Sequence, residues 1–345
     1  MTAERRGISC RGFAKAGFAA LVLALASPTS AAPPPVPDGP VPIIVTASPI
    51  THFDVRDPAR TRFGALEFRG GLALRSSFGG FGGLSGAWRA ANGAQLVAVT
   101  DRGWWLTARP VYVGGRLAGL AAAEMAPMRS ATGRALERTR SYDTESLAIA
   151  GGVAFVGVER THEVLRFDWA GQGPRASAQH LALPADVRRL PPNRGLEAIG
   201  VAPPGSPVAG ALVAVAEQSG ETATAGFVLT GAQRGTFSVT RRDGFAVTDL
   251  AFLPNGDLVL LERRFVPPFS IAMRLRRIDG GAVRPGAVLD GAVLMQADGG
   301  YEIDNMEGLA VHRNAAGETI LTLLSDDNFS PLERTLMLEF ALVGE

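Results

Sequence analysis

"ESLAIAGGVAFVGVERTHEVLRFDW" (residues 145–169) reads as three short strands in series. Two apolar runs flank Gly151-Gly152, a pair suited to a tight hairpin turn, and the second run closes on Glu159-Arg160 before a third begins. The unit returns as "TDLAFLPNGDLVLLERR" (248–264), turning at Pro254-Asn255-Gly256, with "MRLRRID" (273–279) as its third strand. It returns as "EGLAVHRNAAGETILTLLSDDN" (307–328), followed by "LMLEFAL" (336–342). Looser copies are "GGLSGAWRAANGAQLVAVTDRG" (82–103) and "GLEAIGVAPPGSPVAGALVAVAEQSG" (195–220).

The acids closing the second strands, Asp101, Glu159, Glu217, Glu262 and Asp326, are separated by 58, 58, 45 and 64 residues. A period of about 50 residues with three or four antiparallel strands per repeat is that of a β-propeller blade. Five units are visible, and "FGALEFRGGLAL" (63–74) is left to pair with C-terminal strands and close the ring. The expected fold is therefore an all-β propeller of six blades, with five or seven open. Leu117–Met128, Ala-rich and ending near Pro127, is the one place where a helical turn or two is expected.

In an antiparallel hairpin the start of the first strand and the end of the second share one sheet edge. Glu145 thus shares an edge with Glu159, Glu197 with Glu217, Asp249 with Glu262, and Glu307 with Asp326 and Asp327. With the first strand innermost, these acids converge on one mouth of the channel, where carboxylates that close need a counter-charge. Arginine can supply it: Arg102, Arg160 and Arg263 each follow one of the acids, and Arg194 precedes Glu197 by three residues. A divalent cation can too, since "DNMEGLAV" (304–311) and "SDDN" (325–328) offer Asp304, Asn305, Glu307, Asp326, Asp327 and Asn328 as oxygen donors.

Arg5, Arg6, Arg11 and Lys15, the apolar run Ala16–Ala26 and Thr29-Ser30-Ala31-Ala32 are the three parts of a secretory signal, so residues 1–32 are expected to be a cleaved leader. Pro33–Pro42 is proline-rich, and residues 33–50 are read as a linker ahead of a single domain, 51–345. The expected location is periplasmic or secreted, and the expected state a monomer. Without the leader the charge is −2, with no basic excess for nucleic acid or anionic membrane. Lys15 is the only lysine, which excludes a P-loop, a Schiff base and a Ser-Lys dyad; Cys10 is the only cysteine.

Other motifs fall away. His162-Glu163 begins an HExxH pattern, but position 166 is Arg; the four histidines lack ligand spacing, and His312 reads as a core or rim residue. "GGFGGLSG" (79–86) lacks GxGxxG spacing and precedes a strand, and Ser85 within it has no visible base. Trp104-Trp105 read as packing between blades.

"DTESLAI", "NRGLEAIGV", "AVTDLAFLPNGDLVLLERRF", "DNMEGLAV" and "LLSDDNF", in that order, resemble the phytase-like β-propeller family described as having esterase-like activity of phytase, from about Phe63 to Leu342. The resemblance implies ester hydrolysis, and similarity to calcium-holding propeller phytases implies Glu145, Glu197, Asp304, Glu307 and Asp327 as metal ligands. The expected function is metal-assisted hydrolysis of a phosphoric or related ester, with calcium as cofactor. Arg102, Arg160 or Arg263 would hold the anion, and Glu145, Glu159 or Glu307 would act as general base. A lactonase-like enzyme with one channel metal and a non-catalytic periplasmic scaffold are the alternatives.

Overall fold

The computed structural model describes residues 36–192, 194–267 and 270–344; the expected leader lies outside the described residues. Twenty-four strands form five sheets, and each sheet contains one of the five sequence units. Blade 1 runs outward through Leu84–Arg89, Leu96–Thr100, Trp104–Val113 and Arg116–Pro127. Blade 2 is Thr144–Ala150, Val153–Val158, Glu163–Asp168 and Gln179–His180. Blade 3 is Leu196–Val201, Leu212–Ala216, Ala223–Val228 and Gly235–Thr240, with Val288–Leu289 added in parallel at its edge. Blade 4 is Ala246–Phe252, Leu258–Val266, Ser270–Ile278 and Ala292–Asp298. Blade 5 is Asn305–Arg313, Thr319–Asp326, Thr335–Leu342, Leu66–Arg75 and Thr46–Ile50.

The innermost strands touch in a closed ring, blade 1 to 2 to 3 to 4 to 5 and back to 1. Five apolar clusters match this count, one in each seam between blades. In the seam of blades 1 and 2, Trp105 is fully buried with Phe167 and Trp169 rings 5.1 and 5.0 Å away, as the packing reading of the tryptophans requires.

The expected sixth blade is not formed. Leu66–Arg75 pairs with Thr335–Leu342 and becomes the fourth strand of blade 5, so the chain ends do close the ring, but inside an existing unit. That unit had three strands and an open edge; a further blade would need an inner strand that residues 63–74 do not supply. Residues 41–50, read as linker, are also strands: Val41–Pro42 edges blade 1 and Thr46–Ile50 edges blade 5. Their prolines are tolerated because both are edge strands. Arg116–Pro127 is a strand rather than helical turns, paired along Trp104–Val113 through two register shifts. A short Ala-rich run cannot nucleate a helix against an open ladder beside it.

All five inner strands carry a β-bulge near the same end, between Leu84 and Gly86, opposite Gly157/Val158, between Leu196 and Ala198, Val247 and Asp249, and Met306 and Gly308. The bulged residues are Ser85, Glu145, Glu197, Thr248 and Glu307. A bulge frees one residue from the ladder and re-aims its side chain, and here it does so at five equivalent points around one channel mouth.

Candidate functional site

Register fixes a second ring. Thr100, Val158, Ala216, Glu262 and Ser325 pair opposite the residue just before each bulge. The next residue along the chain is Asp101, Glu159, Glu217, Arg263 or Asp326. With Glu145, Glu197 and Glu307 from the bulges, Asp143 ahead of Glu145, and Asn328, these line a mouth cavity of about 340 Å³. It holds eight carboxyl groups and one guanidinium.

Blade 4 departs from the expected pattern by one residue on each strand. Asp249, expected at the mouth, follows its bulge and is fully buried, accepting from the backbone N–H of Leu309 (2.7 Å) and Leu250 (2.8 Å). It ties blade 4 to blade 5, and burial holds its carboxyl well above the usual range. Glu262, also expected there, points to the other face, because neighbours on a strand alternate. It is buried against Arg274 (2.7 Å) and Arg276 (2.6 Å). Thr248 and Arg263 take the two places instead; the buried Thr248 hydroxyl donates to the Met306 carbonyl at 3.1 Å, so blade 4 presents only a cation where the other blades present mostly acids.

The acids concentrate on blades 2 and 3. Oxygens of Asp143, Glu145 and Glu159 lie within 4.8 Å of one another, as do those of Glu159, Glu197 and Glu217, with Glu159 common to both groups. Burial, then the charges of Glu307 and Asp143, push Glu145 well above the carboxylate range; burial, then Glu145 and Glu159, do the same to Glu197. Burial and neighbouring acids push Asp101 and Asp326 up to about 7. Arg263 Nη1 donates to Glu307 at 2.8 Å, Arg263 approaches Glu217 at 3.9 Å, and it also bonds Asn305. Burial raises Glu307 too, but Arg263 and Asn305 draw it back.

Four of the expected residues, Glu145, Glu159, Glu197 and Glu307, meet in the mouth with Arg263. Of the residues expected as ligands or anion holders, Asp304, Asp327, Arg102 and Arg160 are not brought there. Asp304 lines an adjoining groove, accepting from the backbone N–H of Asn305 (3.0 Å) and Arg334 (3.1 Å). Asp327 Oδ1 accepts from the N–H of Gly83 (2.9 Å) and Phe329 (3.1 Å), and its Oδ2 from Thr335 (2.8 Å), so it pins the loop after Asp326 to blade 1. Arg102 lies 3.4 Å over the Phe329 ring, and Arg160 donates to the Tyr142 hydroxyl at 2.6 Å.

The glycine-rich segment also finds its reason here. A Cβ on Gly83 would lie 2.3 Å from Asp101 Oδ1, and one on Gly82 would lie 2.7 Å from Asp327 Oδ1, with both glycines at positive φ. Asp143 was not singled out in the sequence; its position two residues before Glu145 in "DTE" is the signal that marks it.

The family profile described as "Phytase-like: Esterase-like activity of phytase" matches residues 79–329. The chain belongs to that family. Its matched span runs from the glycine-rich segment to the Phe329 loop and so contains every acid of the mouth. No curated protein gives a significant match. Among solved structures, the PQQ-bound aldose sugar dehydrogenase of Streptomyces coelicolor is 13% identical over 78% of this chain and 98% of its own, with a TM-score of 0.42. Myxococcus xanthus glutaminyl cyclase is 12% identical over 77% of this chain and 93% of its own, with a TM-score of 0.37.

Proposed function

We propose that this phytase-like propeller is an exported hydrolase of phosphoric esters that uses divalent cations, calcium foremost, held by the acids of blades 2 and 3. The observation that carries it is the imbalance in the lining of the mouth, eight carboxyls to one arginine, Arg263, with Arg102, Arg160, Arg194 and Arg241 reaching single acids from its flanks, and with two acid groups already close enough to share an ion. The donor set fits: it is all oxygen, without imidazole or thiolate, which suits a hard cation of high coordination number. Asp143, Glu145, Glu159, Glu197 and Glu217 would be the ligands. When bound, such a cation supplies Lewis-acid polarisation of a phosphoryl oxygen and acidifies water.

The remaining residues divide the work. Arg263, held in place by Glu307 and Glu217, offers its planar fork to an anionic ester oxygen. Glu307 is the general base we favour. Its Oε1 accepts from Arg263 and Asn305, both at 2.8 Å, leaving Oε2 to take a proton from the attacking water. Glu145 and Glu159 pass from candidate bases to ligands, since each lies within an acid group close enough to share an ion. Export to the periplasm or beyond rests on the leader sequence of residues 1–32.

A thermal melt with chelator and then with calcium tests the cation, and a panel of phosphomonoester, phosphodiester, carboxylester and lactone substrates tests the reaction. Calcium should raise the midpoint and phosphoester turnover should fall about 10²-fold or more in Glu307→Gln. Turnover without calcium, or undiminished in that variant, defeats this assignment. Arg263 spans blades 3, 4 and 5, which favours a scaffold as the second reading; a calcium-shifted melt with no substrate in the panel turned over would select it.

A further inference from the structure

Blade 4 differs from the others in a second way. The second strands of blades 1, 2 and 3 stop one residue short of their mouth acid, at Thr100, Val158 and Ala216. That of blade 4 continues past Arg263 to Val266 and stays paired with the third strand as far as Val266↔Ser270. The hairpin therefore stands above the rim. Arg263 and Phe265, two apart, share a face, and Ile271 is the cross-strand partner of Phe265 on that face.

This face forms one wall of a groove of about 550 Å³, and the loop after Asp326 forms the other. The groove joins the mouth cavity through Arg263 and Asn328, which line both. Phe265 is 57% and Leu332 91% exposed, two large apolar side chains facing solvent beside a cavity that is almost wholly charged. The loop that carries Leu332 is held: Asp327 pins its base, and Asn328 donates to Glu333 at 2.7 Å. Exposed apolar surface next to a polar cavity marks where the uncharged part of a ligand goes.

We propose, building on the hydrolase reading, that the ester turned over at the mouth carries an apolar alkyl or aryl substituent, and that this substituent lies in the groove against Phe265, Ile271 and Leu332. The phosphoryl group would sit at Arg263, and apolar contact would begin one strand repeat away, about 7 Å along the hairpin. A polyol phosphate would leave this wall uncovered.

The test is binding and turnover of methyl, butyl and hexyl phosphate by the calcium-loaded protein, with calorimetric affinities measured beside kcat/KM. Affinity should rise roughly twofold per methylene for a half-covered chain. Phe265→Ser and Leu332→Ser, at exposed positions, should keep the wild-type melting point and methyl phosphate affinity while flattening the chain-length slope. Equal affinity for the three esters, a slope kept in both variants, or tighter binding of a polyol phosphate overturns the groove assignment even if all are hydrolysed. A slope in affinity without any turnover upholds the groove and overturns the hydrolase reading instead.

Discussion

The mouth and the interior of blade 4 handle carboxylates in opposite ways. In blade 4, buried Glu262 meets Arg274 and Arg276, Arg276 reaches on to Asp290 (3.1 Å), Arg274 to Asp243 (2.9 Å), and Arg242 also pairs with Asp290, so three acids and three arginines balance. In the seam between blades 5 and 1, buried Arg89 pairs with Glu339 at 2.7 Å in the same manner. A few residues away, eight carboxyls of the mouth share Arg263. The chain has 34 basic residues, and strands that place arginines in sheet interiors could place them at the rim. The mouth is thus left negative by arrangement and not by shortage, as expected where the counter-charge comes from solution.

The contrast can be broken most forcefully from the balanced side. Glu262→Ala leaves two buried guanidiniums without their partner and should cost about 3–5 kcal/mol of unfolding free energy. Urea denaturation measures this, and the calcium-induced shift of the melt should survive. On the unbalanced side, calcium at 100 times its dissociation constant should stabilise the protein by about 2.7 kcal/mol. Glu197→Gln should remove most of that gain while making the chelated protein more stable by about 1 kcal/mol, since it deletes a repelling charge. An equal loss in both conditions would mean that Glu197 acts as packing.

A pH series on the chelated protein sharpens the same comparison. Asp101 and Asp326 are pushed up to about 7 from an ordinary value of 3.8. His312, pushed down to about 3, gives an opposing slope below about 6.5, but these two acids hold more protons folded than unfolded, so their own contribution to the unfolding free energy falls as pH rises from about 4 to 7. Saturating calcium should flatten the slope. The smallest effect is expected at Arg102→Ala, which loses a stacking contact on Phe329 worth about 0.5–1 kcal/mol and should leave calcium binding unchanged.

Much of this was legible in the chain. The hairpin units gave all five inner strands, and hairpin geometry brought Glu145, Glu159, Glu197, Glu217, Asp326 and Glu307 to one mouth. What misled was a shift of one residue. In "TDL" it is Thr248, not the acid after it, that stands where Glu145 stands in "ESL", and in "LERR" the mouth position falls on Arg263, because pairing Val247 with Glu262 sets the phase. Acid-to-acid spacing cannot report that phase. Nor could spacing separate Asp326 from Asp327: strand alternation sends the first into the cavity and the second to cap the loop. The blade count failed for a related reason, since a strand from the far end of the chain has no local mark of which sheet it completes.

That last strand pairing has a kinetic side. Thr335–Leu342 lies between Thr319–Asp326 and Leu66–Arg75, so the pair Leu66↔Leu342 joins positions near opposite ends of the chain. Contacts of such long range carry a heavy loop-closure cost and form late. A nascent chain lacking those eight residues would hold four blades and an unsealed fifth, so the circle can be completed only once Thr335–Leu342 has been made.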